Sequence, residues 1–356
     1  MSSVDPITRS LLDQLAANPD DLDRLTVLAD HLSSIGDARG ELIAVFLANK
    51  THRDRDLAQR RGELLHDFEP ELEPGDRVTW GNGFIRTLEL PGYSREQLER
   101  HEARWQHLSL ALLSELDVEL RTWGDADYVP RLLELVPRSL RALRLTSRVR
   151  EPIGYVFELA ALPRLERLAI DNFTGFYRLA HPRLQRLEFS TRQPFAHVTE
   201  LAPAQLPDLY DLAITGTTEA RDFDYLVTVL ANTGWLDRLT HLTLAGGDLS
   251  AFGTGQLVAG LAGRKLLRLE LPRTRIRKSL MSQLERVTDE LVTSHVTHEL
   301  GAGGAEVIEY VEHAAKPEWG RGRVVRRFDG KVEIEFADDG IGRRVFRADA
   351  EFLRFL

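Results

Sequence analysis

A short pattern of apolar residues recurs eight times between positions 85 and 271 and constrains the fold more than any other feature of the chain. In each copy the apolar residues stand at the first, fourth and sixth positions. The copies are Ile85/Leu88/Leu90, Leu113/Leu116/Val118, Leu140/Leu143/Leu145, Leu165/Leu168/Ile170, Leu184/Leu187/Phe189, Leu209/Leu212/Ile214, Leu239/Leu242/Leu244 and Leu266/Leu269/Leu271. Successive copies begin 28, 27, 25, 19, 25, 30 and 27 residues apart. This regularity predicts a fold built from stacked copies of one structural unit.

The last two apolar positions of the pattern are two residues apart, so both side chains point to the same side of a short strand. One such strand cannot bury this side alone, whereas units that stack share an interior. A leucine-rich amphipathic helix can show the same spacing by chance. That alternative is disfavoured by the repeated Pro-x-Leu entries Pro163-Arg164-Leu165, Pro182-Arg183-Leu184 and Pro207-Asp208-Leu209, because proline ends a helix just before the strand.

The repeated pattern resembles leucine-rich repeats, whose units are roughly 20–29 residues long. The resemblance implies an irregular α/β solenoid over residues 79–300. The spacing of Leu280, Leu284, Val287 and Leu291 predicts a capping helix from about Ser279 to His295 at its end. The Asn or Cys usual three positions after the last apolar residue is missing. Those positions hold Tyr93, Arg121, Arg148, Phe173, Arg192, Thr217, Gly247 and Thr274. Helical spacing is predicted on the convex side at 125–136, 152–162, 223–236 and 249–261, while 171–183 is too short for a full helix.

Residues 1–78 are predicted to form a small helical cap domain. The residues Arg24-Leu25, Leu28-Ala29-Asp30, Leu32, Gly36-Asp37, Arg39-Gly40-Glu41 and Ile43 resemble the signature of the bacterial repeat-companion domain, which usually has Trp where this chain has His31. Trp80-Gly81-Asn82-Gly83-Phe84 resembles the element that leads such domains into the first repeat. The resemblance implies no enzymatic activity. We expect Asp37 to cap the helix that carries Glu41, and Arg39 to pair with Asp30 or Glu41.

Residues 305–356 are predicted to form a separate module after a flexible joint at Gly301–Gly304. Apolar residues alternate at Val307/Val311 and Val332/Ile334/Phe336, and Asp329-Gly330 is a hairpin signal, so five short strands are expected. Pro317-Glu318-Trp319-Gly320-Arg321-Gly322-Arg323-Val324 resembles the small SH3-like barrel of bacterial proteins that act on DNA or RNA polymerase, including CarD-type regulators. The alternative is a generic small barrel in which Trp319 fills the core.

Composition narrows the classes of function. The net charge of −9 argues against whole-molecule binding to nucleic acid or to an anionic membrane. The absence of cysteine excludes disulfides, thiolate zinc sites and a cysteine nucleophile. No signal peptide or membrane span is recognisable, so a cytoplasmic protein is expected. No nucleotide-binding loop, metalloprotease motif or nucleophile elbow occurs, and we therefore predict no catalytic residue, cofactor or metal.

The predicted concave face consists of the polar residues beside the strand leucines. Its candidate partner-binding residues are Glu89, Glu115, Asp117, Glu119, Arg144, Arg167, Asp171, Arg186, Glu188 and Asp211. Along the sequence an acidic patch precedes a row of arginines, which would suit a protein partner of opposite polarity. The competing explanation is that a solenoid simply needs a solvated face. Aromatic residues near the edge are candidate anchors: Trp123, Tyr128, Phe173, Phe176 and Tyr177.

Two functions follow as hypotheses. The first is a non-enzymatic scaffold that binds a protein partner on the concave face. The alternative is a transcription- or DNA-associated regulator that acts through the C-terminal module. Residues 321–347 contain eight Lys or Arg and five Asp or Glu, a net charge of +3. Because phosphate neutralisation needs several uncompensated cations, this charge predicts weak binding to duplex DNA and favours the scaffold.

Overall fold

The structure is a computed structural model. It describes residues 5–51, 54–70, 72–121, 128–147, 153–154, 159–171, 173–175, 179–190, 201–216, 220–261, 263–298, 306–307, 310–313, 316, 319, 321–328, 331–336, 343–347, 350 and 353–355. These residues form a mixed α/β fold with a 12-stranded sheet, a five-stranded sheet and a two-stranded sheet. No helix within these ranges is both long enough and apolar enough to cross a membrane.

Four helices open the chain: α1 Pro6–Ala17, α2 Leu22–Ser34, α3 Arg39–Thr51 and α4 Arg55–Phe68. Asp5 and Asp21 begin the first two, since their carboxylates accept backbone N–H groups of the first turn. The buried side of α1 to α3 packs on Phe84 and Leu112, which belong to the region of the large sheet. The expected N-terminal helices are therefore confirmed, and their core is continuous with the following strands.

The strands up to residue 307 are, in chain order, β1 Arg77–Gly81, β2 Phe84–Tyr93, β3 Glu115–Leu120, β4 Ala142–Ser147, β5 Ile153–Gly154, β6 Arg167–Ile170, β7 Phe173–Gly175, β8 Arg186–Ser190, β9 Asp211–Thr215, β10 His241–Ala245, β11 Asp248–Leu249, β12 Leu266–Arg277, β13 Thr288–His298 and β14 Glu306–Val307. The helices between them are α5 Arg95–Arg100, α6 Val129–Leu135, α7 Ala220–Asn232, α8 Ala251–Leu261 and α9 Lys278–Arg286. Short 3-10 segments lie at Glu102–Gln106, Leu108–Leu110, Leu159–Ala161 and Pro203–Gln205.

The large sheet follows chain order. Its path runs β1-β2-β3-β4-β6-β8-β9-β10-β12-β13-β14, and β11 pairs with β12. The neighbours from β2 to β13 are parallel, while β1 and β14 add antiparallel strands at the two edges. Asn82-Gly83 forms the two-residue turn between β1 and β2, with φ of 56° and 84°, as a hairpin of this kind requires. The predicted domain boundary at residue 78 falls inside β1.

The repeated apolar pattern sets the register of the parallel strands. The fourth residue of each copy stands beside its counterpart in the next strand: Leu88, Leu116, Leu143, Leu168, Leu187, Leu212, Leu242 and Leu269. Every apolar residue of the eight copies is at most 2% exposed. All belong to one buried cluster that runs the length of the sheet. The predicted strand at each copy is thus confirmed, and so is the inward direction of its leucines.

The predicted capping helix is wrong over half its length. Helix α9 ends at Arg286, and Thr288–His298 is instead strand β13, with Leu291 beside Leu269 of β12. Leu280 and Leu284 do lie on one buried face of α9, but the helical spacing does not continue to Leu291. The segment after Arg286 is rich in Val and Thr, which favour strands, and β12 offers it an edge to pair with.

The predicted convex helices are confirmed for 223–236 and 249–261, where α7 and α8 lie. The described part of 125–136 holds α6. The prediction is wrong for 152–162, since Ile153–Gly154 is a strand paired with β7 and Leu159–Ala161 is a 3-10 turn. At Ile153–Gly154, pairing with β7 therefore overrides the helical spacing of the sequence.

The C-terminal residues form a separate antiparallel sheet from β15 Tyr310–His313, β16 Arg321–Phe328, β17 Lys331–Phe336, β18 Arg343–Arg347 and β19 Leu353–Phe355, in the order β18-β17-β16-β15-β19. Val332, Ile334 and Phe336 are buried, and the ring centroids of Trp319 and Phe336 are 5.3 Å apart. The sheet has five strands, as expected, and Trp319 packs in their core. The expected first strand is wrong at its start, since Val307 belongs to β14, which pairs with β13 of the large sheet, and β15 begins at Tyr310. Asp329-Gly330 and Gly301–Gly304 lie outside the described residues.

Candidate partner-binding face

One side of the parallel strands carries polar residues in two rows, which together we name the open face. The first row is Thr87, Glu115, Ala142, Arg167, Arg186, Asp211, His241, Arg268 and Glu290. The second row is Glu89, Asp117, Arg144, Ala169, Glu188, Ala213, Thr243, Glu270 and Val292. Since these residues alternate with the buried leucines, they point away from the interior.

Two adjoining grooves lie on the open face. The first, of about 390 Å³, is bordered by Thr87, Glu89, Glu115, Asp117, Arg144, Arg167, Arg186 and Glu188, above Ala142 and Ala169. The second, of about 360 Å³, is bordered by Arg186, Asp211, His241, Thr243, Arg268 and Glu270. Eight of the ten candidate residues named from the sequence border one of these grooves. The other two lie just outside them: Glu119 stands beside Thr146, and Asp171 directly follows β6.

Two arginines of the open face reach across an intervening strand to a carboxylate. Arg167 Nη2 lies 2.5 Å from Glu115 Oε1, above Ala142 of the intervening strand. Arg144 Nη2 lies 3.7 Å from Glu188 Oε2, above Ala169. A methyl side chain between the two partners leaves room for each long side chain to cross.

Each arginine of the two rows has a carboxylate within ion-pair distance. Arg144 also approaches Asp117 at 4.0 Å and Asp171 at 3.8 Å. The remaining pairs are Arg186 with Glu188 at 3.6 Å and Asp211 at 3.3 Å, and Arg268 with Glu270 at 2.5 Å and Glu290 at 3.3 Å. The strand order keeps Glu89, Glu115 and Asp117 ahead of Arg144, Arg167 and Arg186, as in the sequence. The two groups also form ion pairs with each other, because neighbouring strands are only ~4.8 Å apart.

The open face is nevertheless acidic. With Glu119 and Asp171 included, it has nine carboxylates and four guanidinium groups. Burial raises the pKa of Asp117, and the nearby Glu89, Asp171 and Glu119 add to this effect while Arg144 opposes it. Burial likewise raises the pKa of Asp171 and of Asp211. In all three cases a nearby arginine, Arg144 or Arg186, opposes the effect of burial.

The polar turn before α3 is structural. Asp37 Oδ1 accepts the backbone N–H of Arg39 at 2.9 Å, which confirms the expected cap. The guanidinium of Arg39 pairs with Asp37 at 3.4 Å, so the expected pairing with Asp30 or Glu41 is wrong. Glu41 instead accepts two hydrogen bonds from Arg60 of α4, at 2.7 and 2.9 Å. The packing of α4 on α3, which is invisible in the short motif, decides this pairing.

The prediction of aromatic anchors is wrong for Tyr128, the one candidate whose side chain the structure describes. Tyr128 is 4% exposed, and its hydroxyl donates to Glu102 at 2.7 Å, so it is a packed residue rather than a surface anchor. Trp123, Phe176 and Tyr177 lie outside the described residues, as does the side chain of Phe173. In the described part of the chain, no group of three or more His, Asp or Glu residues is placed to hold a metal ion.

A buried charged trio was not predicted from the sequence. Arg104 donates to Asp76 at 3.1 Å and to the Tyr93 hydroxyl at 3.0 Å, and Tyr93 donates to Asp76 at 2.6 Å. The Asp76 and Arg104 side chains are 1% and 2% exposed. The three residues come from separate segments at the start of the sheet, and no local pattern in the sequence marks them. Their burial and mutual pairing indicate a structural role in joining these segments.

Part of the chain matches a known family. Residues 309–352 match the family described as a protein of unknown function, DUF3553. The match covers β15 to β18 of the C-terminal sheet but not β19, and its description names no activity. No curated protein matches the chain. The resemblance of the repeats to leucine-rich repeats, and of the N-terminal helices to the repeat-companion domain, therefore stays a prediction.

Proposed function

We propose that the chain is a non-enzymatic interaction scaffold whose open face binds a protein partner. The observation that carries the proposal is the continuous register of two mostly polar rows across the parallel strands. The buried leucines beneath hold these rows in place, so a long polar surface is presented with little freedom to rearrange. In this proposal the strands and their helices form an irregular solenoid of the leucine-rich-repeat type, capped by α1 to α4.

The charge of the open face indicates the polarity of the partner. The open face has nine carboxylates and only four arginines. Burial raises the pKa values of three of its aspartates, Asp117, Asp171 and Asp211. A cationic surface on the partner would relieve this imbalance and would be steered toward the face over a distance. Association should then weaken as ionic strength rises.

The C-terminal sheet is, in this proposal, the described part of a small SH3-like barrel. Its family match supplies no function, and the net charge of +3 over residues 321–347 gives little basis for tight DNA binding. We therefore assign partner recognition to the open face and leave the tail as an accessory module.

Affinity capture with the full chain tests the proposal. The test variant carries Asp117→Lys and Glu188→Lys in the first groove, and a matched control carries Asp67→Lys and Glu285→Lys on exposed helical sites. We expect the native chain and the control to retain the same protein partner and the groove variant to lose it. Retention by all three would contradict the proposal. Capture of duplex DNA that Arg326→Glu with Arg327→Glu abolishes would favour the DNA-associated regulator instead.

A further inference from the structure

A second charged surface lies on the turns that enter the strands, outside the open face. Arg164 and Arg183 hold the same place in successive turns, each after a proline and before the first buried leucine of its copy. The strands that follow, β6 and β8, are parallel neighbours with Arg167 beside Arg186. Since such neighbours lie ~4.8 Å apart, the two turns stack on one another and the two arginines start from adjacent levels.

A buried histidine holds these two turns together. His181 Nδ1 accepts the backbone N–H of Arg183 at 3.2 Å, and its Nε2 donates to the carbonyl of Leu162 at 3.0 Å. Leu162 also accepts the N–H of Leu165, next to Arg164, at 3.0 Å. The histidine is 1% exposed. Both arginines therefore extend from backbone that hydrogen bonds fix in place.

The surroundings of Arg164 are positive. Burial lowers the pKa of Arg164, and the nearby Arg141 and Arg183 lower it further, while Asp13 partly offsets them. Arg141 is already engaged, since Nη1 donates to Glu166 at 2.5 Å and Nη2 to the Ala17 carbonyl at 2.7 Å. Glu166 is thus paired with Arg141, and Asp13 forms no ion pair with Arg164 among the described residues.

Arg164 and Arg183 differ in this respect from the arginines of the open face. Among the described residues, neither guanidinium has a carboxylate within 4.0 Å. Asp208 occupies the equivalent place in the next turn, yet it makes no ion pair with Arg183 in the described part of the chain. The pair therefore presents unneutralised donors on a rigid base.

We propose that Arg164 and Arg183 bind an acidic peptide segment. A guanidinium group matches a carboxylate with two parallel hydrogen bonds. Carboxylates on alternate residues of an extended peptide stand ~6.6 Å apart, which two arginines from adjacent turns can span. A long nucleic acid fits less well, because the chain has a net charge of −9 and its open face is acidic. This site is independent of the open face and takes a ligand of the opposite charge.

Fluorescence anisotropy of a labelled octaglutamate peptide against the full chain tests this site at low salt. The site variant is Arg164→Glu with Arg183→Glu. Its control is Arg55→Glu with Lys278→Glu, which makes the same change of charge at the first residues of α4 and α9, where an acidic residue is tolerated. Circular dichroism and the melting temperature establish that both variants fold.

We expect the site variant to bind at least about tenfold more weakly than the native chain, and the control to stay within about twofold. Equal loss in both variants would show a general effect of net charge and overturn the site. A single-stranded oligonucleotide of equal charge that binds more tightly than the peptide, and loses binding in the same variant, would also overturn the assignment to peptide.

Discussion

Arg167 reaches across an entire strand to Glu115: its Nη2 donates to Oε1 at 2.5 Å although β4 separates β6 from β3. Ala142 stands beside both residues in the register and leaves the space that the guanidinium group crosses. The same relationship joins Arg144 to Glu188 over Ala169. Small residues between long ones therefore determine how the charges of the open face meet.

Ala142→Leu should remove the coupling between Arg167 and Glu115. A larger side chain would occupy the space between them, while the pair, 55% and 46% exposed, is worth no more than about 0.5 kcal/mol. A double-mutant cycle of Arg167→Ala and Glu115→Ala, measured by urea denaturation, should give a small favourable coupling in the native background and none with Leu at 142. The same coupling in both backgrounds would show that the bridge over Ala142 is not made.

Leu143→Asp and Leu187→Asp should each destabilise the chain by several kcal/mol. These leucines are 2% and 0% exposed, and each substitution would place an unpaired carboxylate in the shared interior. The neighbouring Arg144→Ala and Arg186→Ala should change the free energy of unfolding by only about 0.5 kcal/mol. Similar losses at both kinds of position would contradict the inward and outward assignment.

Asp76→Ala should be strongly destabilising, by about 3–5 kcal/mol, because it leaves the Arg104 charge buried without its carboxylate. The control is Glu89→Ala, whose partner Arg77 is 80% exposed at 3.5 Å, and its effect should be close to zero. Both are measured by chemical denaturation of the full chain. A mild effect of Asp76→Ala would mean that water reaches Arg104 and compensates for the loss.

Two Gly→Ala substitutions should act in opposite directions. Gly83 has φ of 84°, and a Cβ there would lie 2.7 Å from Ile43 Cγ1, so Gly83→Ala should cost more than about 1 kcal/mol. Gly62 lies within α4 with no heavy atom within 4 Å of such a Cβ, so Gly62→Ala should stabilise by about 0.5–1 kcal/mol. Melting temperatures should shift down and up respectively. A higher melting temperature for Gly83→Ala would show that residue 83 does not adopt the positive φ of the β1–β2 turn.

His181 should make the stability depend on pH below neutrality. Burial lowers its pKa from the ordinary value of 6.5; the hydrogen bond to the Leu162 carbonyl opposes this shift, and the positive charge of Arg183 adds to it. The unfolded chain takes up the proton first as the pH falls. The stabilisation is therefore complete above about pH 6.5 and is lost progressively below it. The melting temperature of the native chain should fall more between pH 7.5 and 5.5 than that of His181→Asn, and parallel falls would rule out this role.

The repeats were predictable because their signal is redundant. Eight copies place leucines at equivalent positions, and a strand in one copy needs a strand in the next to bury its side chains, so even the in-register stacking at Leu143 and Leu168 follows from the pattern. The ten candidate residues were found by the same alternation. The helix predicted over residues 288–295 is wrong because the prediction used local helical spacing, whereas these residues form a strand through pairing with β12, a separate segment of the chain.

The sequence by itself determined which residues face inward and which form the open face. Successive side chains of a strand point to opposite sides, and the apolar side is the one that becomes buried. Only the tertiary structure decided how the charges meet. The distance between Arg167 and Glu115, the burial of Arg104 with Asp76, and the lack of an ion-pair partner for Arg164 and Arg183 among the described residues depend on which segments become neighbours in space. Which charged side chains meet across strands, and how far each is shielded from water, follow from that packing. The spacing of residues along the chain does not determine either.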